Sequence, residues 1–223
     1  MKMIQNQFLA KGVFAVAVVA VAGVVGAVNF TQAARAAKPT KEECATAGFR
    51  NYGQCVRVWA QDMSGYGNSS AVAVAAADAF QSDVEDENGD FAARVAELTD
   101  TAQAQLSANG QNSTIKFQNQ FDTSTTTYED RLDAAFDEFR SQVDEAAGTA
   151  ESKDQFINEF NQAKADYLNA LDAAKNQYAA ELSNMGHNSN VVKDQFMNGF
   201  NTARDAYSNN LEAAKNEFAA TLG

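Results

Sequence analysis

The stretch Lys153-Asp-Gln-Phe-Ile-Asn-Glu-Phe-Asn161 recurs later in the chain as Lys193-Asp-Gln-Phe-Met-Asn-Gly-Phe-Asn201. Within each copy an apolar residue returns at every eleventh position, through successive spacings of 4, 3 and 4. Such a period makes three helical turns of about 3.67 residues each, so residues with this spacing stay on one face of an α-helix. The repeat therefore predicts long amphipathic helices that arose by duplication.

The same apolar pattern occurs three times and supplies the predicted core of a helical bundle. Small residues such as Ala163 and Ala174 lie between the large ones, so facing helices can set a ring against an alanine. Each buried Phe or Leu stabilises a fold by about 1.5–3 kcal/mol. We call the predicted core residues the core ladder: Phe117, Phe121, Tyr128, Leu132, Phe139, Phe156, Phe160, Tyr167, Leu171, Tyr178, Leu182, Phe196, Phe200, Tyr207, Leu211, Phe218 and Leu222. A weaker copy precedes them, with the rows Phe80, Phe91, Ala102 and Val84, Val95, Leu106.

Glycine and serine residues predict where these helices end and begin. Gly110, Gly148 and Gly186 occupy positions that favour a left-handed cap just after a helix. Ser113 and Ser189 are predicted to precede helices as N-caps. A further start is predicted by the capping-box pattern Ser152-Lys-Asp-Gln155.

These boundaries predict helices at about 71–108, 113–147, 152–184 and 189–222, within a helical domain 71–223. Because the connections are short, sequential helices should be antiparallel neighbours. We expect an all-α fold, namely an elongated antiparallel up-down bundle of three or four long helices with 11-residue (hendecad) repeats. Asn88-Gly89 is a helix-breaking pair inside the first helix, where we expect a kink or a short break.

The N-terminal segment 1–36 has the layout of a secretory signal peptide. Lys2 and Lys11 precede the apolar run 12–28, and Ala34-Arg35-Ala36 is a small-x-small cleavage site. The alternative is an uncleaved membrane anchor, although a run of this length is short for a spanning helix. Both alternatives place the rest of the chain outside the cytoplasm, either secreted or at the cell surface.

Residues 37–70 differ in composition from the rest of the chain, since they contain its cysteines, its proline and its tryptophan. They predict a small, mostly irregular cap or stalk that is closed by a disulfide. Cys44 and Cys55 are the only cysteines, and in an oxidising compartment such a pair forms a disulfide. A metal site would need further ligands and a catalytic thiol would need a histidine partner. The only histidine, His187, lies far along the chain. Trp59 is expected to pack against the bundle.

The charge balance argues against several classes of partner and of chemistry. The chain has a formal net charge of −12, and its acidic residues repel nucleic acid and anionic membranes. The acidic run Asp86-Glu-Asn-Gly-Asp90 does not have the spacing of an EF-hand calcium loop, so a solvated acidic face is favoured. No catalytic, cofactor-binding or metal-binding residues are predicted, and we expect a protein that is not an enzyme.

Two functions from different classes fit this pattern. The first is a scaffold, adhesion or protein-interaction protein of the cell envelope or extracellular space, which binds a protein partner or itself. The second is a bundle that binds lipid or another apolar ligand, because the 11-residue amphipathic period resembles that of apolipoproteins. Lipid-surface helices also carry Lys or Arg beside the apolar face, whereas this chain has only scattered bases and glycine-punctuated hairpins. The sequence therefore favours an inward-facing core, and it also leaves membrane attachment through 12–28 open.

Overall fold

The long helices follow one another along the chain with short connections. The computed structural model describes residues 39–48, 52, 55, 56, 58, 59, 69–144 and 149–222, and this part of the chain is all-helical, as predicted. A short helix, α1, covers Lys41–Thr46. The long helices are α2 (Ser69–Gln105), α3 (Ala108–Asp144), α4 (Thr149–Ser183) and α5 (His187–Thr221). The predicted signal peptide 1–36 and the predicted cap Gly148 lie outside the described residues.

Hydrogen bonds near both ends of each sequential helix pair establish an antiparallel arrangement. They join Ser70 to Val143 and Thr99 to Gln118 between α2 and α3, Thr114 to Tyr178 and Gln142 to Gln155 between α3 and α4, and Lys175 to Asn201 and Asn161 to Lys215 between α4 and α5. The first long helix also contacts the last, because the Tyr207 hydroxyl of α5 donates a hydrogen bond to the Asn88 side chain of α2. The four long helices thus surround one common core.

The four contacts between neighbouring long helices differ in how closely the backbones approach each other. The backbones of α3 and α4 approach each other along much of their length, and so do those of α2 and α5. Contact between α2 and α3, and between α4 and α5, is less extensive. We therefore describe the fold as two close pairs, α3/α4 and α2/α5, that face each other across two wider contacts.

The described residues of the segment 39–59 pack on the outside of α2 through their own small apolar cluster. Cys44 and Cys55 form the predicted disulfide, with a Cα–Cα distance of 5.6 Å. Val56 and Trp59 are buried against Val72, Ala75 and Ala79 of α2. The disulfide therefore ties this segment together beside the start of the bundle, and Trp59 packs against α2.

The expectation of an irregular segment is wrong at Lys41–Thr46, which is helix α1. The physical reason is a capping box before the helix. The Thr40 side chain accepts a hydrogen bond from the backbone N–H of Glu43, and the Glu43 carboxylate accepts one from the backbone N–H of Thr40. Such a reciprocal pair satisfies donors that the first turn would otherwise leave without partners.

Several predicted helix starts are wrong because small polar residues lie inside helices rather than before them. Helix α3 begins at Ala108, so Gly110 and Ser113 belong to its first turns instead of preceding a start at 113. Ser152 and Ser189 are likewise buried residues within α4 and α5. A serine hydroxyl can donate to the carbonyl four positions earlier, as Ser113 does to Asn109, and is then tolerated inside a helix. Helix α2 also starts and ends earlier than expected, at Ser69 and Gln105.

The expected break at Asn88-Gly89 is wrong, since α2 is continuous from Ser69 to Gln105. Asn88 is buried and its side-chain oxygen accepts a hydrogen bond from the Tyr207 hydroxyl, at 2.6 Å. Gly89 lies on the exposed side of the helix. A tertiary contact therefore outweighs the weak helix preference of the pair.

Two helical glycines allow a matched test of this packing. A Cβ built on Gly89 meets nothing within 4 Å, whereas one on Gly199 of α5 comes within 2.5 Å of Leu98 Cδ2. We expect Gly89→Ala to raise the free energy of unfolding by about 0.5–1 kcal/mol, because alanine is the better helix former. Gly199→Ala should gain less or lose stability, because Leu98 must move. Urea denaturation of both variants measures the difference, and equal gains would contradict the close α2/α5 contact.

Candidate functional site

The core ladder gathers in one apolar cluster between the long helices. Every ladder residue except Leu222 is buried. Leu222 follows the last turn of α5 as its C-cap, and it is partly buried against the same cluster. Phe80, Phe91, Val84 and Val95 of α2 complete the cluster from the fourth side. The described residues therefore build a continuous core that is rich in aromatic rings.

The aromatic rows of the four helices meet in tiers across the bundle. Near the start of α2, Phe80 lies 5.3 Å from Phe218 and 5.9 Å from Phe156, measured between ring centroids. Phe139 lies 5.4 Å from Phe156 and completes this tier, to which every long helix contributes a ring. At the opposite end, Phe117, Tyr178, Phe196 and Phe200 form a second cluster of rings.

Sequence reasoning missed one aromatic member of this core. Phe136 is buried and lies 4.9 Å from Phe156 and 5.7 Å from Phe80. Its spacing of four after Leu132 and three before Phe139 is the ladder spacing itself. The residue could have been found by following the 4-3 rhythm within the helix rather than the hendecad rows alone.

The middle tier places polar groups within the core. Its rings are Phe91, Tyr128, Tyr167 and Tyr207. The Tyr128 and Tyr167 rings stack at 4.6 Å, and Phe91 stacks on Tyr207 at 4.7 Å. The sequence indicated these residues as core but did not indicate their polar partners.

Each tyrosine of the middle tier has a different hydroxyl environment. Tyr207 Oη donates to Asn88 Oδ1 at 2.6 Å, and the Tyr167 and Thr125 hydroxyls are 2.9 Å apart. Tyr128 Oη has no hydrogen bond of good geometry among the described residues. The neighbouring Tyr207 hydroxyl is nevertheless close enough to lower the Tyr128 pKa somewhat. The tier thus contains two satisfied hydroxyls and one that is held mainly by packing.

Burial keeps these hydroxyls neutral. It raises the pKa of Tyr167 to about 12, an increase that the hydrogen bond to Thr125 partly offsets. Burial also raises the pKa values of Tyr128 and Tyr207 well above the usual value of tyrosine. At neutral pH none of the three supplies a phenolate, so the tier acts through packing and hydrogen bonds rather than through acid–base chemistry.

The α4/α5 contact carries a polar set of four residues. Lys175 is 7% exposed, and its Nζ donates to Asp172 at 2.7 Å and to Asn201 at 3.0 Å. Arg204 of α5 donates to both Asp172 oxygens at 2.6 Å. Partial burial raises the pKa of the Asp172 carboxyl, but Lys175 and Arg204 outweigh it and hold the pKa below its usual value.

The duplication repeats this polar set at the other end of the same contact. Lys164 of α4 donates to Glu212 of α5 at 2.7 Å, and Lys215 donates to Asn161 at 3.4 Å and to Glu212. In the duplicated unit Glu212, Lys215, Asn161 and Lys164 are the respective counterparts of Asp172, Lys175, Asn201 and Arg204. The residues that α4 contributes to one set are therefore the counterparts of those that α5 contributes to the other set, as expected for two antiparallel copies of one sequence. Lysines that the sequence indicated only as scattered bases are thus positioned at an interface.

The outer surface offers little other chemistry in the part of the chain that the structure describes. A shallow polar cleft of about 320 Å³ lies where α1 meets α2. It is lined by Lys41, Tyr52, Asp78, Gln81, Ser82 and Glu85. No three His, Cys, Asp or Glu side chains among the described residues are placed to hold a metal ion. None of the described helices combines the length and the apolar character that a membrane span requires.

No protein-family model, curated protein or solved structure matches this chain. Its function is therefore inferred from its own residues and contacts.

The middle tier provides a matched pair of hydroxyl deletions. Tyr207→Phe should lower the free energy of unfolding by about 1–3 kcal/mol, because it leaves the buried Asn88 oxygen without its donor. Tyr128→Phe should change it by less than about 0.5 kcal/mol, because that hydroxyl makes no hydrogen bond of good geometry. Denaturant unfolding of the two variants tests this order, and a larger loss for Tyr128→Phe would contradict the described tier.

Alkaline pH should unfold the protein through the same tyrosines. Their folded pKa values lie above the unfolded value, so their contribution to stability is complete below about pH 10. It is lost as the pH rises through the folded value of about 12 for Tyr167. Loss of helix and ionisation of the buried tyrosines, followed together by circular dichroism and tyrosinate absorbance, should occur in one step, and ionisation of these tyrosines without loss of helix would contradict their burial.

Proposed function

We propose that this protein is an exported, non-enzymatic helical scaffold or adhesion protein that acts through protein contacts at the cell envelope or outside the cell. The observation that supports this proposal is the use of the core ladder. Its rings pack against one another between the long helices, and this leaves the polar faces to meet other molecules. A bundle of long helices with a polar surface suits a structural role better than a catalytic one.

The same observation weighs against lipid binding as the principal role. Helices that lie on lipid expose a continuous apolar face. Among the described residues the exposed large hydrophobic side chains are Ile115 and Val191, which are 46% and 47% exposed. Two isolated side chains on different helices do not make such a face. Binding of lipid or another apolar ligand would first require the bundle to open.

We further propose that the four long helices form the complete bundle and that the hendecad repeat sets its register. Two tiers of rings that lie one hendecad apart, each with a ring from every long helix, are the arrangement that supports this proposal. A period of about 3.67 residues per turn keeps the apolar stripe facing inward with little supercoiling. On this basis 71–223 is the bundle domain and 37–70 its disulfide-closed cap.

Export is proposed from the N-terminal pattern and from the cysteine pair. A charged start, an apolar run and a small-residue site in 1–36 are typical of a cleaved signal peptide. The Cys44–Cys55 disulfide is of the kind that persists in oxidising compartments. The acidic net charge of −12 suits a soluble surface that does not bind nucleic acid.

Flotation with neutral phosphatidylcholine vesicles tests the scaffold role against the lipid role. We expect the exported protein to stay in the dense fraction, because its apolar ladder is buried. The double variant Ile115→Ser/Val191→Ser is the control for the two exposed apolar residues and should behave in the same way. Clear flotation of both proteins would overturn the scaffold proposal in favour of lipid binding. Flotation of the unchanged chain alone would also overturn it, because a surface apolar contact would then bind membrane.

A further inference from the structure

The two close pairs are joined to each other by two short connections at one end of the bundle. Residues 106–107 join α2 to α3, and residues 184–186 join α4 to α5. Because neighbouring helices are antiparallel, both connections lie at the end where α3 and α5 begin. The α2/α5 pair is therefore attached to the α3/α4 pair in the manner of a folded hinge.

Both close pairs share one antiparallel register. In α3/α4 the contacts include Thr114 with Tyr178 and Gln142 with Gln155. In α2/α5 they include Asn88 with Tyr207, Glu87 with Asn210, and Phe80 with Phe218. In all of these contacts the two residue numbers add to nearly the same total. If both connections straightened, α2–α3 and α4–α5 could pair along their whole length without a change of register.

The buried stripe also continues through both connections. Between α4 and α5 the positions Leu182, Met185, Ser189, Val192 and Phe196 follow one another at spacings of 3 and 4. Each of them is buried or packs against the core. Such spacings keep residues on one face of a continuous helix. The same holds between α2 and α3, through Leu106, Gly110, Ser113 and Phe117.

Two glycines on this path are needed by the turns and not by a straight helix. Gly186 has a φ of +104°, which side-chain-bearing residues rarely adopt. A Cβ on Gly110 would come within 2.8 Å of Leu106 Cβ in the folded-back chain. In a continuous helix the Cβ atoms of residues 106 and 110 would be about 5–6 Å apart. Alanine at either position therefore opposes the turn and suits the straight helix.

We propose that two copies of this chain exchange their α2/α5 pairs by opening at 106–107 and 184–186. In the exchanged dimer α2–α3 and α4–α5 become continuous helices, and each close pair stays intact. The wider contacts re-form between the two copies, including Asp172 with Arg204 and Lys164 with Glu212. The segment held by the disulfide moves with α2, on which it packs. This inference rests on the proposed scaffold function and names a second copy as its partner.

Matched variants of the full chain test the exchange. The opening variant is Gly110→Ala/Gly186→Ala, which penalises the turns. The closing variant is Ala108→Pro/His187→Pro, which places proline at the exposed first residues of α3 and α5. Proline suits a helix start but breaks a continuous helix. Relative to the unchanged chain, we expect the dimerisation constant to rise at least about tenfold in the first and to fall at least about a hundredfold in the second.

Light scattering over a range of protein concentrations measures the dimer, and small-angle X-ray scattering measures its length. The monomer should be about 55 Å long and the exchanged dimer about 110 Å, at 1.5 Å per helical residue. The proposal is overturned if the opening variant has the helix content of a folded protein and dimerises no more than the unchanged chain. It is also overturned if the closing variant dimerises as strongly as the unchanged chain. If the opening variant does not fold, the unchanged chain and the closing variant are compared. A long dimer that the unchanged chain forms and the closing variant does not form supports exchange, and equal dimerisation of the two overturns it. Failure of the exchange proposal would not change the result of the flotation experiment, so it can be distinguished from failure of the scaffold proposal.

Discussion

Burial of aromatic rings between long antiparallel helices is the interaction on which the other features depend. The polar faces are rich in Asn, Gln, Asp and Lys and contribute little to holding helices together in water. The rings of Phe80, Phe156 and Phe218 at one end, and of Phe117 and Phe196 at the other, remove a large apolar area from water. The positions of the helices and the burial of lysine and tyrosine follow from this packing.

The polar contacts act on specificity within that apolar frame. A purely aromatic core would tolerate a helix shifted by three turns, because the rings recur at every eleventh position and rings then replace rings. The hydrogen bond between Tyr207 and Asn88 joins two helices and would be lost by such a shift, because Phe196 or Phe218 would take the place of Tyr207. Leaving such groups buried without partners is costly. The sparse polar groups therefore select one alignment among several that the rings alone would accept.

The fold class and the buried ladder could be predicted because they depend on periodicity, which survives in a single sequence. The disulfide could be predicted because only one pairing of two cysteines exists. The helix starts could not, since Ser113 and Ser189 have the chemistry of N-caps and their use inside helices is decided by tertiary packing. Asn88 was misread for the same reason, because its partner Tyr207 lies far away in sequence. The equivalent polar sets of α4 and α5 need the antiparallel pairing before they can be recognised.

The start of α2 and the end of α5 lie together, as the contact between Phe80 and Phe218 shows. This placement sets how the bundle would respond to mechanical load. Tension applied between Ser69 and Thr221 would pull the close α2/α5 pair apart from one end, like a zipper, and would break its contacts turn by turn. A load applied between the start of α2 and the opposite end of the bundle would instead slide whole helices past one another and strain many contacts at once. A bundle with this topology therefore resists force in one direction far better than in the other.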